Sequence, residues 1–248
     1  MKNVMTYVNP DKRFDEEHEV LARIQVDNCL SLGWRAEDIV MATNFDFEYR
    51  GVESVRVGDG CYCRSHWPAT KIYVLVELFE RGLMGDGLHW YHDFDCYQLV
   101  PFSVGLPDMG RADLGLTNYG RMPRLCSASM FFTGFAQDIF DRLKFEIYKS
   151  RTNEERVIAR MVSDPALEGG IKLLNITYAF HRFNIRSCYP LADKPIRAAH
   201  FHLTPDKYEF FVEGKNKLGI KLIPDRLIDI FTRHGWTREK QWQLATRP

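Results

Sequence analysis

Two carboxylates one residue apart, Asp93 and Asp95, follow directly on an apolar run in LHWYHDFDCYQL. In an extended segment alternate side chains share a face, so both point the same way while Phe94 turns into the opposite layer. Left alone the two charges repel. A hard divalent cation, Mn2+ or Mg2+, relieves the repulsion and bridges to a diphosphate. The same tripeptide on a loop is ordinarily a turn or a helix cap, so its place at a strand end carries the argument. A second same-face pair, His200 and His202 in AAHFHL, offers an imidazole to complete the cation's coordination. The plainer role is that of half-buried strand histidines.

Lys71 lies in the first turn after Pro68, where an ammonium and a helix N-terminus together suit an anion such as a phosphate. Glu154 and Glu155 open a helix capped by Asn153, and their charge complements its dipole. The functional alternative is a carboxylate aimed at an acceptor, as base or as stabiliser of positive charge at a sugar. Cys61-x-Cys63 with His66 lacks the ligand spacing of structural zinc sites and reads as a loop.

Elements that would position these groups alternate along the chain. A strand at Asn3–Val8 precedes a helix from Phe14 to Leu32, closed by Gly33. A strand at Asp38–Thr43 and a strongly apolar helix from Thr70 to Gly82 follow, and then the strand Leu88–Tyr91 that runs into Asp93. Further strands are expected at Ala112–Leu116 and Ser127–Thr133, helices at Gly134–Lys149 and Asn153–Val162, shorter elements at Ile171–Phe180 and Ala198–Leu203, and a helix near Asp225–Arg233. Such alternation predicts an α/β fold with a mostly parallel mixed central sheet flanked by helices, its ligands at the carboxyl ends of the strands.

With 248 residues, 45% apolar and 27% charged, one domain spanning 1–248 is expected, free of repeats and low-complexity tracts. The zero net charge hides an asymmetry. Residues 1–110 carry 10 Lys+Arg against 18 Asp+Glu, and 111–248 carry 23 against 15, giving −8 and +8. An acidic half that binds a cation beside a basic half that receives a phosphorylated or nucleic-acid partner is one reading, two solvated faces the other. Six scattered cysteines read as reduced thiols of a cytoplasmic protein. No stretch has the length of a membrane span. The five tryptophans read as core or surface-anchoring aromatics, with Trp236 and Trp242 in a polar tail able to stack on an acceptor.

With these residues in view, the chain resembles the glycosyltransferases of the GT-A fold, most closely the glycogenin and lipopolysaccharide galactosyltransferase group, over residues 3 to 207. In that family the end of the first strand holds the nucleotide base, which makes Thr6, Tyr7 and Asn9 donor candidates. The family's lysine before the aspartate motif is matched by Lys71 in ATKIYVLVELF, and its Asp-x-Asp metal motif by Asp93 and Asp95. Its Asn-Ser-Gly-like strand along the donor sugar corresponds to Ser127–Thr133, with Ser129 as the contact; the asparagine and glycine are absent. Its acidic or amide pair facing sugar and acceptor is matched by Glu154 and Glu155. Leu174 to Tyr178 stands where the family carries a Leu-Pro and an aromatic-Asn. A histidine and a lysine that close on the diphosphate are matched by His200 or His202 with Lys207.

The resemblance implies a donor that is a nucleoside diphosphate sugar, first of all a UDP-sugar, with a Mn2+ or Mg2+ cofactor, and an acceptor hydroxyl on a saccharide, a protein or a DNA base. It divides the chain into a nucleotide-sugar half, 1–110, and an acceptor half with a C-terminal tail, 111–248. Glu155 acting as base on the acceptor gives inversion; Glu155 lying under the anomeric carbon gives retention. Among the rivals, a phage transferase acting on hydroxylated DNA bases in the host cytoplasm suits the basic second half, but no Arg/Lys run accompanies it. A nucleotidyltransferase or nuclease would use the same carboxylates, yet no Gly-rich phosphate cradle is present. A non-catalytic binding protein is the third.

Overall fold

The computed structural model describes residues 1–118, 125–164, 167, 169–181, 185–202 and 204–236. In chain order its elements are β1 (Asn3–Tyr7), α1 (Glu16–Ser31), β2 (Ile39–Thr43), β3 (Glu48–Tyr49), β4 (Val52–Arg56), α2 (Thr70–Glu80), β5 (Leu88–His92) and β6 (Cys96–Gln98). There follow β7 (Leu114–Asn118), β8 (Leu125–Thr133), α3 (Gln137–Ser150), α4 (Glu154–Met161), β9 (Ile171–Leu173), α5 (Ile185–Cys188), β10 (Ala198–His200), α6 (Pro205–Phe211) and α7 (Asp225–Arg233).

Eight strands form one sheet in the order β3-β4-β2-β1-β5-β8-β7-β9. β4, β2, β1 and β5 are mutually parallel, and β9 is parallel to β7. β8 is antiparallel to both of its neighbours, and β3 is antiparallel to β4. This is the mixed, mostly parallel sheet that the alternation predicted, and it takes strands from both halves of the chain. Adjacent residues of a strand face opposite layers. Val4, Val40 and Ala42 pack with α2, α3 and α4 on one face, and Met5, Ile39 and Met41 with α1 and α7 on the other. The chain moves outward from β1 through β2 and β4, then returns to place β5 on β1's other side. The order therefore reverses between β1 and β5, the switch point at whose carboxyl ends open α/β sheets place their ligand crevice.

Local chemistry explains the helix limits. Asp15 caps α1 by accepting from the His18 amide, and Gly33, at φ 90°, ends the helix where a side chain would be strained. The helix expected from Gly134 begins instead at Gln137, after a turn in which the Ala136 amide donates to the Thr133 carbonyl, and Gly134 itself passes so near the Gly85 backbone that a Cβ would clash with it. The β3–β4 hairpin was not foreseen. Its two-residue turn, Arg50-Gly51, needs positive φ at both positions, 52° and 76°, and arginine gives no sequence signal for that conformation. Trp236, read as a core or surface-anchoring aromatic with stacking on an acceptor as the alternative, is buried against the α7 side of the core. Trp242 lies outside the described residues.

Asp27 of α1 ties the far edge of the sheet to the last helix. It is 5% exposed and accepts from Arg50 Nη1 at 2.7 Å, and His234 Nε2 stands 2.9 Å from it. Burial alone would raise its pKa, but His234 and Arg50 outweigh that and hold it below the ordinary carboxylate value. A depressed folded-state pKa contributes stability that is present above the unfolded value and lost as pH falls through the folded one. Asp27→Asn is therefore expected to cost about 1–3 kcal/mol at pH 7, read as a lower urea midpoint, with the gap to wild type narrowing as pH drops below the ordinary carboxylate range.

Candidate functional site

At the crevice between β1 and β5 the dominant feature is a buried ammonium. Lys71, on the first turn of α2, is 7% exposed and donates to Asp93 Oδ2 at 2.6 Å and to Ser127 Oγ at 3.3 Å, with Glu154 Oε1 3.7 Å away. Burial pulls its pKa down; the Asp93 carboxylate, with Tyr91 and Glu154 beside it, more than reverses this and holds the group charged. Tyr91 donates to Asp93 Oδ1 at 2.5 Å, and its hydroxyl lies 3.4 Å from Thr6 Oγ1. Burial and the Asp93 charge raise the Tyr91 pKa well above its ordinary value, so it stays a donor. Lys71 is thus held among side chains at the head of α2 and is not a solvated lysine.

Asp93-Phe94-Asp95 is a turn and not an extended strand end: the Cys96 amide donates to the Asp93 carbonyl at 3.0 Å, and Asp93's own amide to Ala128 O at 2.9 Å. The alternation expected of an extended segment does not apply here, although Phe94 does enter the layer beneath, where it stacks on Tyr7 at 6.2 Å. The two carboxylates face different partners. Asp95 Oδ2 is 3.0 Å from His200 Nε2 and 3.1 Å from His202 Nδ1. Burial disfavours charge on both Asp95 and His200, but their attraction prevails: the carboxyl is held well below, and the imidazole well above, its ordinary value. His202 is 70% exposed.

The acidic pair at the start of α4 closes the crevice from the second half of the chain. Asn153 caps the helix, as expected, by accepting from the Arg156 amide. Glu154 Oε1 accepts from Ser127 Oγ at 2.9 Å, Glu155 Oε1 from the Ser127 amide at 3.2 Å, and His66 Nε2 lies 3.4 Å from Glu154 Oε2. Although close to His66, Glu154 Oε2 makes no hydrogen bond among the described residues.

Ser129, the donor-sugar candidate, is turned away from this cluster. It is 1% exposed, accepts from Trp90 Nε1 at 2.9 Å and donates to the Tyr178 carbonyl at 2.8 Å, so its hydroxyl is spent in the core. The cause is a register shift in the β7–β8 pairing: Thr117 faces Cys126, whereas Leu116 faces Met130. The extra residues break the period of two, and Ser127 and Ser129 fall on opposite faces. Ser127, His66 and Tyr91 are the site residues that sequence reasoning missed; only Tyr91, two before Asp93, carried a signal. Tyr7 donates to Asp15 at 3.0 Å and accepts from Asn9 Nδ2 at 3.2 Å, beside a cleft of about 360 Å³ lined by Asn9, Arg13 and Phe14. Lys207 sits in the first turn of α6, near enough for its charge to act on His181.

No family model matches the sequence, and a search of curated proteins finds no match. Solved structures do match. An active-site mutant of LgtC superposes with a TM-score of 0.60 at 10% identity, over 94% of this chain and 96% of that one. The galactosyltransferase LgtC with donor and acceptor sugar analogues gives 0.58 at 10% identity over the same shares. GlyE of Streptococcus pneumoniae gives 0.56 at 9% identity, over 100% of this chain and 65% of that one. The chain has the GT-A glycosyltransferase fold. A glycosyltransferase involved in glycosylation of the major capsid of PBCV-1 shares it at 10% identity and a TM-score of 0.53, over 81% and 93% of the two chains. At such identity the likeness speaks for the fold alone, and the chemistry has to be argued from the side chains.

In this GT-A framework Lys71 neutralises a pocket that would otherwise hold Asp93 and Glu154 as uncompensated charges. Removing one partner of a buried pair costs far more than the pair's net worth. Lys71→Met, close to isosteric, is expected to destabilise the protein by about 3–5 kcal/mol, measured by urea unfolding. A loss under 1 kcal/mol, the range of exposed pairs, would contradict the central role given to this ammonium.

Proposed function

We propose that the protein is a metal-dependent glycosyltransferase that moves a sugar from a nucleoside diphosphate sugar to an acceptor hydroxyl. The observation that carries this reading is the convergence of Lys71, Asp93 and Glu154 beyond the carboxyl end of β5, with Asp95 two residues on from Asp93. No exposed-surface requirement explains so much buried charge, and a cleft of this chemistry suits a donor that is itself anionic and rich in hydroxyls.

Thr6 and Tyr7 end β1, and Asn9 just beyond it lines the cleft of about 360 Å³ that this reading gives to the nucleotide base. The ligand types of the acidic motif suit a hard divalent ion, although Asp93 and Asp95 turn to different partners in this structure. Asp95 is kept ionised and already draws two imidazoles to a single oxygen, and Asp93 draws an ammonium, so both carboxylates answer to positive charge. Asp93 and Asp95 would supply oxygen ligands and His200 or His202 a nitrogen. When bound, such an ion neutralises charge on the departing nucleoside diphosphate. The remaining work belongs to the chain itself. Glu154 Oε2, buried and short of a hydrogen-bond donor, is completed by a hydroxyl of the transferred sugar. Glu155, steadied by the Ser127 amide, lies next to it on the acceptor side. Lys207 on α6 closes toward the diphosphate.

A thermal-shift series against nucleoside diphosphates and their sugars, each with and without Mn2+, tests the reading. At a ligand concentration 100-fold above Kd the native state gains about 2.7 kcal/mol, or roughly 5–11 °C in Tm for a chain of this size. The expected result is a Mn2+-dependent shift with one nucleotide series, uridine tried first, that Asp95→Asn abolishes. Retention of the full shift in Asp95→Asn would refute the role of the aspartates. The absence of a shift with every donor tried would refute the transferase, and DNA would then be the next ligand.

A further inference from the structure

Behind the Asp95 wall three side chains far apart in sequence meet. Cys126 of β8, His181 just beyond the bridge between Phe180 and Ala199, and His200 of β10 bring Sγ and two ring nitrogens within 4.8 Å of one another. Cys126 is 0% and His181 3% exposed. His181 Nε2 lies 3.2 Å and His200 Nδ1 3.7 Å from Cys126 Sγ. Among the described residues no other group of three His, Cys, Asp or Glu side chains converges in this way.

We propose that Cys126, His181 and His200 form a zinc site separate from the cation site of the aspartates. Bond lengths of about 2.3 Å to sulfur and 2.0–2.1 Å to nitrogen at a tetrahedral angle put the two donor atoms roughly 3.5 Å apart. The observed 3.2 and 3.7 Å bracket that value. One thiolate and two imidazoles are also the wrong ligands for Mg2+ or Ca2+ and the right ones for zinc.

The orientation of His200 supplies the second argument. Its Nε2 meets Asp95 Oδ2 at 3.0 Å and keeps its proton there, while Nδ1, directed at Cys126, is the nitrogen that gives up its proton when a metal binds. A carboxylate behind a ligating histidine is the usual second layer of a zinc site: it fixes the tautomer and raises the basicity of the ligand. Zinc binding releases the Cys126 thiol proton and the Nδ1 proton of His200 to solvent, and the fourth tetrahedral position is left to solvent or a bound molecule. The ion would lock β8, the segment after Tyr178 and β10 into one wall. On the transferase reading, it also leaves His202 as the imidazole available to the donor's cation.

The test uses the full chain, stripped with a chelator and without nucleotide. Co2+, a spectroscopic stand-in for Zn2+, is expected to give a thiolate-to-cobalt charge-transfer band at one equivalent, abolished by one equivalent of Zn2+. Cys126→Ser should lack the band. Asp95→Asn should weaken Zn2+ by about 10–100-fold in competition with a chromophoric chelator, while Asp93→Asn leaves it unchanged. Absence of the band in the wild-type protein, or its persistence in Cys126→Ser, overturns the site; the wild-type result decides should the variant fail to fold. Because Co2+ and Zn2+ are added alone, failure here leaves the Mn2+-dependent donor result untouched, and the reverse holds equally.

Discussion

A charged ammonium buried among carboxylates is the constraint around which this molecule is arranged. Taking Lys71 out of water is expensive, and the cost is met only because Asp93, Ser127 and Glu154 are all brought to it. Each of those partners comes from a different element: the turn after β5, the strand β8 and the first turn of α4. Satisfying one cation therefore fixes how the two halves of the chain meet. The Asn153 cap and the first-turn position of Glu154 look like ordinary helix chemistry, and they are, but they also set the angle from which the second half enters the crevice.

The irregularity in β8 is what lets this arrangement share a wall with a second cluster. A regular strand would put Ser127 and Ser129 on one face; the shifted register sends Ser127 to Lys71 and Ser129 to Trp90 and the Tyr178 carbonyl. Cys126, beside them, then lies with His181 and His200. Asp95 belongs to both arrangements. It accepts from His200 on one side and stands in the turn with Asp93 on the other, so the geometry of the proposed donor site and that of the thiol-imidazole cluster are mechanically joined through one carboxylate.

That coupling bears on how acidic motifs are read. Asp-x-Asp invites a picture of two carboxylates side by side, waiting for a cation. Here each is already held by positive or donating groups, Asp93 by Lys71 and Tyr91 and Asp95 by two histidines. Repulsion between the aspartates is relieved within the fold itself, so that on the proposed reading ion binding is an exchange of partners and not the filling of a charged void.

The sequence by itself determined the architecture: the alternation of β-rich and helical segments, Asp15 and Asn153 as caps, Gly33 as a terminator, and an apolar α2 leading to a strand that ends at Asp93. These signals are local, written within a few residues by backbone preference and side-chain period. It also brought Lys71, Asp93, Asp95, Glu154 and the histidines into view, because their types are rare in places that should be buried. Only the tertiary structure decided which of them touch. Arg50 adopting positive φ, the register shift that exchanges Ser129 for Ser127, His66 reaching Glu154, and Cys126 meeting His181 and His200 all depend on contacts across 28 to 88 positions or on strain absorbed by neighbours. Periodicity is blind to such contacts, since it describes which face a residue takes and not what stands opposite.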